Sequence, residues 1–277
     1  MMLRFLTGLL VLVSSLASAQ EDFGAIARFA DENAALGPPR PDEQRVVFLG
    51  DSITQGWSDA SPEYFARNPS YIERGISGQT TPQMLLRFRS DVVALEPAAV
   101  VILAGTNDIA GNTGPATNEM IEQNIASMSE IAAANGIRVI LASILPTDDY
   151  PWRPGLEPAP RIVAINEWLE NYAEEHGHIY LDYYSRMVDD AGGMQERFTT
   201  DGVHVTVAGY AVMELLADAA IDEALNAPRP GTGQTRTGGD SNRTSDSQSG
   251  TVVPLRITPV DGCARTSSSR RPIGNCD

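Results

Sequence analysis

The 277-residue sequence contains no lysine, so its 20 basic residues are all arginines, set against 36 acidic residues and three histidines. Without lysine the chain cannot carry a phosphate-binding P-loop, because the G-x-x-x-x-G-K-[ST] motif requires that residue. With only two cysteines, a cysteine-rich zinc module is excluded as well. The formal net charge of −16 argues against a nucleic-acid partner, because an acidic surface repels phosphate backbones.

Apolar runs long enough to span a membrane are also missing. Residues 1–19 have Arg4 before a Leu- and Val-rich run and end in Ala17-Ser18-Ala19, which is the order of a cleaved secretory signal peptide. A membrane anchor is the alternative, but it would need about 20 apolar residues. We therefore expect the mature protein to have no membrane span and to be secreted or periplasmic.

Large apolar side chains become scarce after Asn226. Residues 227–250 cannot bury enough surface to offset their ordering entropy, so they are predicted to be a flexible linker. In the tail, residues 251–277, Cys263 and Cys276 either close a small disulfide loop, which an exported protein permits, or remain two thiols. The folded domain is expected within residues 20–226.

Between these ends, short β-rich runs alternate with stretches of helical periodicity. Strands are predicted at Arg45–Leu49, Tyr71–Ile76, Ala98–Ala104, Arg138–Leu145 and His178–Asp182. Helices are predicted at Thr81–Leu95 with Thr81 as N-cap, and at Ala116–Asn135, Arg161–His176 and Val207–Leu225. The alternation predicts an α/β fold whose parallel sheet is covered on both faces, with its site beyond the carboxyl ends of the strands.

Four loops at that edge carry polar groups that acyl transfer requires. They are Gly50-Asp51-Ser52, the turn containing Gly78, Gly105-Thr106-Asn107-Asp108, and Asp201-Gly202-Val203-His204. Each alone is explained by capping or turn formation. Together they supply a nucleophile in Ser52, a base in His204 and an orienting carboxylate in Asp201. The N–H groups of Ser52 and Gly78, with the Asn107 amide, would form an oxyanion hole.

Two alternative site chemistries fit less well. His176 and His178 have the H-x-H spacing that some pairs of metal-binding histidines show. No third ligand is apparent, so no metal site is expected. The α/β-hydrolase elbow, G-x-S-x-G, would need glycine where the chain has Thr54.

The four blocks, in this order, resemble the SGNH or GDSL hydrolase family over about Arg45 to Leu225. The resemblance implies a flavodoxin-like three-layer α/β/α sandwich with a five-stranded parallel sheet, and no metal or organic cofactor. It places the family's nucleophile on Ser52, its second-block glycine on Gly78, its oxyanion asparagine on Asn107, and its D-x-x-H block on Asp201 to His204. Members often have proline after that histidine, where this chain has Val205.

Two segments, RGISGQTTPQMLLRF and AGTNDIAGNTGP, are similar to bacterial relatives of platelet-activating-factor acetylhydrolase subunits. That similarity implies an esterase for short acyl groups, acetyl above all. The family also includes lysophospholipases, thioesterases and O-acyltransferases, and a non-catalytic carbohydrate-binding module is a further alternative.

Aromatic residues in predicted loops suggest a carbohydrate ester. Trp57 and Trp152 would offer stacking faces to a sugar, although the alternative is that such rings pack against their own loops. The sequence leaves the oligomeric state open.

Overall fold

A computed structural model of the protein describes residues 22–227 and Pro230. The expected signal peptide, nearly all of the linker, and the tail with Cys263 and Cys276 lie outside the described residues. Within the described part of the chain, no helix is long and apolar enough to cross a membrane.

Five strands form one parallel sheet, and each predicted strand is confirmed with slightly shorter or shifted bounds. The strands are β1 (Val46–Gly50), β2 (Tyr71–Gly75), β3 (Ala99–Ile102), β4 (Arg138–Ala142) and β5 (Ile179–Leu181). Their spatial order is β2-β1-β3-β4-β5. This is the flavodoxin-like order, in which the chain moves outward from β1 in one direction and from β3 in the other.

The helices include the four predicted ones and several short ones. They are α1 (Ala30–Leu36), α2 (Ser52–Ala60), α3 (Pro62–Arg67), α4 (Thr81–Asp91), α5 (Thr106–Ile109), α6 (Asn118–Ala134), α7 (Ala159–His176), α8 (Tyr184–Met187) and α9 (Val207–Asn226). Short 3-10 turns occur at Val93–Leu95 and Glu196–Phe198.

Alternating strand residues divide the core into two halves. Val47 and Leu49 of β1 point into an apolar cluster with α4, α6 and α7, whereas Val46 and Phe48 point into a second cluster with α2, α3 and α9. Successive side chains of a strand face opposite sides, so both faces of the sheet are buried and the domain has three layers, α/β/α. The predicted fold class is confirmed.

Side-chain hydrogen bonds set two boundaries that periodicity placed differently. The apolar run of β4 continues to Leu145, but the N–H of Ile144 donates to Asn166 Oδ1 at 2.8 Å, so the strand ends earlier. The N-cap of α4 is Thr80, not Thr81, because Thr80 and Gln83 form a capping box. The Thr81 hydroxyl instead donates to Asp108 Oδ1 at 2.6 Å.

Candidate active site

The Ser52 hydroxyl lies at the point where β1 passes into α2. Ser52 is the first residue of that helix, and Asp51 is its N-cap, with a side-chain oxygen that accepts the Ile53 N–H at 2.9 Å. Helix N-termini carry unsatisfied N–H groups and a partial positive charge, which suits a site where negative charge develops. The nucleophile predicted from sequence therefore lies at the carboxyl edge of the sheet.

A chain of two hydrogen bonds joins Ser52 to His204 and His204 to Asp201. The Ser52 Oγ lies 3.1 Å from His204 Nε2, and His204 Nδ1 lies 2.8 Å from Asp201 Oδ2. The other Asp201 oxygen accepts the backbone N–H groups of Val203 at 3.0 Å and His204 at 2.7 Å. One carboxylate thus closes the turn that carries the histidine and also holds its ring.

The ionisation of Asp201 fits that position. Burial alone would raise the pKa of Asp201, but the hydrogen bonds from His204 and Val203 outweigh burial and hold this pKa below its ordinary value. The carboxylate is therefore charged near neutral pH and favours the tautomer with a proton on His204 Nδ1. That tautomer leaves Nε2 free to accept the Ser52 proton.

The Asn107 side chain forms the floor of the site, and it is 2% exposed. Its Nδ2 donates to Asp51 Oδ2 at 3.2 Å and to the Gln79 carbonyl at 3.1 Å. Its Oδ1 accepts a hydrogen bond from Asn112 Nδ2 at 2.7 Å. Every polar atom of the amide has a partner, so its orientation is set from three sides.

A cavity of about 220 Å³ opens above this floor. Its lining comprises Ser52, Ser77, Gly78, Asn107, Asn112, Trp152 and His204. Gly78 has φ of +77°, a conformation that favours glycine, and it turns the chain after β2. The structure therefore brings together all five sequence-predicted residues of the triad and hole, with Asp201 behind His204 rather than in the cavity wall.

The Asp51 carboxylate, next to Ser52 in the chain, is 1% exposed. Burial raises the pKa of Asp51 from 3.8 to about 6, although the Ile53 N–H and the nearby His204 favour the charged form. Burial also raises the pKa of Asp108, whose oxygens accept the N–H and hydroxyl of Thr81. Two buried carboxylates thus connect the Ser52 loop, the Asn107 loop and the start of α4.

A buried arginine holds two of the site loops from behind. Arg87 of α4 is fully buried, and its Nη2 donates to the Gly50 carbonyl at 3.0 Å. Its Nε donates to Gln79 Oε1 at 2.6 Å, and its Nη1 pairs with Asp91 at 3.2 Å. Gly50 precedes the nucleophile turn and Gln79 follows the Gly78 turn, so one guanidinium fixes the spacing of both.

The two tryptophans predicted to contact substrate differ in position, and the prediction for Trp57 is wrong. Trp57 lies in α2 rather than in a loop and is 1% exposed, stacked between the rings of Tyr64 and Tyr210. It follows the buried Ile53 by one helical turn, which places it on the core face. Trp152, by contrast, is 43% exposed, lines the cavity, and has its ring centre 6.1 Å from that of His204.

The remaining histidines lie away from the cavity. His176 and His178 are at the end of α7 and just before β5, with ring centres 6.0 Å apart. Within residues 22–227, no group of three or more His, Cys, Asp or Glu side chains is arranged to hold a metal.

Sequence reasoning missed Ser77 and Asn112 as parts of the cavity. Asn112 lies five residues after Asn107, and its backbone N–H donates to the Asn107 carbonyl at 3.0 Å. Gly111 precedes it with φ of +71° and turns the loop back toward the site. The Gly-Asn dipeptide was the available turn signal, but it does not tell which polar groups the asparagine meets.

Comparison with known proteins gives consistent matches over the described domain. The profile of the GDSL-like Lipase/Acylhydrolase family matches residues 48–212. Esterase TesA of Pseudomonas aeruginosa is 28% identical over 185 residues, which cover 60% of this chain and 81% of TesA. A solved GDSL-like lipase of Bacteroides thetaiotaomicron is 48% identical, with a TM-score of 0.71. The match covers 73% of this chain and 99% of the lipase chain. A proposed acylhydrolase of Bacteroides fragilis, also of known structure, is 46% identical, with a TM-score of 0.73. The match covers 74% of this chain and 100% of the acylhydrolase chain.

Proposed function

Because the chain belongs to the GDSL-like lipase/acylhydrolase family and is a carboxylic-ester hydrolase, we propose that it cleaves short acyl esters, acetyl above all, through an acyl-enzyme on Ser52. The observation that carries the proposal is the row of hydrogen bonds from Ser52 Oγ through His204 to Asp201, at 3.1 and 2.8 Å. A nucleophile, a base and an orienting carboxylate in contact are what serine acyl transfer needs.

In the first half-reaction, Ser52 Oγ attacks the carbonyl carbon of the ester while its proton passes to His204 Nε2. The tetrahedral intermediate then collapses, the bond to the leaving oxygen breaks, and His204 returns the proton to the departing alcohol. Water repeats the sequence on the acyl-enzyme and releases the carboxylic acid. Throughout, Asp201 stabilises the imidazolium that forms on His204.

We assign the oxyanion to the N–H groups of Ser52 and Gly78 and to Nδ2 of Asn107. In the free site, the two acceptors of Asn107 Nδ2 lie at 3.2 and 3.1 Å, toward the long end of the range for such bonds. A charged oxyanion is a stronger acceptor, so it can share one of these hydrogens as the intermediate forms.

The size of the cavity supports a small acyl group. At about 220 Å³ it lies below the range of roughly 300–1,000 Å³ typical of pockets for drug-sized ligands. The exposed ring of Trp152 offers an apolar face beside it, which suits the ring of a sugar carrying the ester. We therefore place acetylated carbohydrates first among the natural substrates.

The decisive experiment compares Ser52→Ala with Ser58→Ala, a matched loss of one hydroxyl on the same helix. Ser52→Ala should reduce p-nitrophenyl acetate turnover by several orders of magnitude and abolish labelling by a fluorophosphonate probe. Within the described part of the chain, the Ser58 hydroxyl bonds only to the Gln55 carbonyl of its own helix, so Ser58→Ala should keep both the turnover and the labelling. Full turnover in Ser52→Ala would reject the mechanism, and absence of both turnover and labelling in the wild type would favour a binding module.

A substrate series then tests the acyl group and the acceptor. Rates should fall as p-nitrophenyl esters lengthen from acetyl, and acetylated xylan or pectin fragments should release acetate. A preference for long chains would favour the lysophospholipase alternative. Acetyl transfer to an added sugar in place of water would identify an O-acyltransferase.

Export is part of the same proposal, supported by the order of residues 1–19. N-terminal sequencing of the protein from the cell exterior or periplasm should begin at Gln20. Retention of residues 1–19 on a membrane-bound form would support an anchor instead.

A further inference from the structure

Asn112 links three parts of the candidate site through one side-chain amide. Its Nδ2 donates to Asn107 Oδ1 at 2.7 Å and to the Gly78 carbonyl at 3.3 Å. Its Oδ1 accepts the indole N–H of Trp152 at 3.2 Å. The backbone N–H of Asn112 adds a fourth link, to the Asn107 carbonyl at 3.0 Å.

The bond to Asn107 Oδ1 is one of three contacts that set which way the Asn107 amide faces. If that amide turned over, its oxygen would meet the Asp51 carboxylate and the Gln79 carbonyl, both acceptors, and its NH₂ would meet the NH₂ of Asn112. Asn112 and the two acceptors therefore favour the same orientation. In that orientation, the Asn107 NH₂ faces Asp51, the residue before Ser52, and is the group to which we assign the oxyanion.

We propose that Asn112 is a positioning residue that holds the Asn107 amide and the Gly78 turn in register and couples both to Trp152. This inference rests on the proposed function. It extends that function by making the wall of the substrate cavity part of the support for the oxyanion hole. A sugar ring that settles on Trp152 steadies the indole and, through Asn112, two of the three donors of the hole, Gly78 and Asn107.

Two substitutions at Asn112 separate its hydrogen bonds from its bulk. Asn112→Ala removes the donor to Asn107 and should lower kcat for p-nitrophenyl acetate about fivefold, since one such bond is typically worth about a factor of two to ten. Asn112→Asp keeps the shape but sets an acceptor against Asn107 Oδ1 and a negative charge near the oxyanion. It should lower kcat about 100-fold, in the range seen when one oxyanion donor is lost.

Asn226→Asp is the charge-matched control. Asn226 is the last residue of α9, a helix of 20 residues, so it lies about 30 Å along the helix axis from the end near His204. This variant should keep the wild-type kcat. The thermal midpoints of the Asn112 and Asn226 variants should stay close to that of the wild type, because both side chains are exposed.

A double-mutant cycle with Trp152→Phe tests the coupling. Phenylalanine keeps a ring at the wall but lacks the indole N–H, so Trp152→Phe alone should lower kcat two- to fivefold with little change in KM. On the Asn112→Ala background the same change should lower kcat less than twofold, because the bond it removes is already absent.

The outcomes distinguish this inference from the mechanism on which it rests. If Asn112→Asp keeps kcat within twofold of the wild type, or if the Trp152→Phe loss is fully additive on Asn112→Ala, the positioning role is overturned. Neither result touches the Ser52 mechanism, which fails if Ser52→Ala stays active or if the wild type shows neither turnover nor labelling. An Asn112→Ala effect confined to KM, with kcat unchanged, would also contradict the proposal.

Discussion

Substitution of Trp57 and of Trp152 by alanine should separate folding from catalysis. Trp57 is 1% exposed, with ring centres 5.3 Å from Tyr64 and 5.5 Å from Tyr210, so its removal leaves a cavity in the core. Trp-to-alanine changes at such sites cost about 3–5 kcal/mol. Among the residues that the structure describes, its buried Nε1 has no hydrogen-bond partner, and losing that unsatisfied donor returns about 1–3 kcal/mol. We therefore expect a net loss of about 2 kcal/mol.

The assay is urea denaturation followed by far-UV circular dichroism, with initial rates measured where each variant is fully folded. In a thermal melt followed by the same signal, a loss of about 2 kcal/mol should lower Tm by roughly 4–8 °C in a domain of this size. The kcat/KM of folded Trp57→Ala should stay within about twofold of the wild type. Trp57→Phe, which keeps an aromatic ring and removes the unpaired N–H, should cost less than half as much.

Trp152→Ala should impair catalysis and leave the stability of the fold nearly unchanged. Because Trp152 is 43% exposed, its loss should change the free energy of unfolding by less than about 1 kcal/mol. It should raise KM and lower kcat, since one wall of the cavity and the N–H donor to Asn112 both disappear. The reasoning is refuted if Trp57→Ala is as stable as the wild type, or if it shifts KM as Trp152→Ala does.

Three further changes test other parts of the site. Asp201→Asn should lower kcat by about 10²–10⁴ because His204 loses the carboxylate that sets its tautomer; a normal rate would exclude that role. Asp91→Asn leaves the Arg87 guanidinium buried without its charge partner and should cost about 3–5 kcal/mol in urea denaturation; a change below about 1 kcal/mol would contradict the importance of the pair. Burial raises the pKa of Glu73 from 4.5 to about 7, so the folded state binds this proton more tightly than the unfolded chain. The free energy of unfolding should then fall as pH rises from about 4.5 to about 7, and Glu73→Gln should flatten that fall; equal slopes in both proteins would disprove the link.

Local pattern in the sequence was enough for the sheet and the main helices. The continuous apolar run around β3, Ala99–Ile102, marks a strand buried on both faces, and Gly136 and Gly177 end α6 and α7 with φ of +70° and +67°. The triad residues could also be proposed, because each has a chemistry that few residue types supply and each follows a predicted strand or precedes a helix. Local pattern does not give the exact ends of the strands, because side chains distant in sequence decide where a strand stops. Asn166, which accepts the Ile144 N–H after β4, is an example.

Burial and side-chain pairing depended on the assembled fold. Trp57 and Trp152 are the same residue type, yet one packs in the core and the other lines the cavity, because only one faces the aromatic cluster of α3 and α9. Asn112 likewise contacts Asn107, Gly78 and Trp152 because the turn at Gly111 directs its side-chain amide toward them. Hydrophobic periodicity and turn chemistry act over a few residues and can be read from the chain. The contact between Ser52 and His204 joins residues 152 positions apart, and it exists only because the packed helices bring the ends of separate loops to one edge of the sheet.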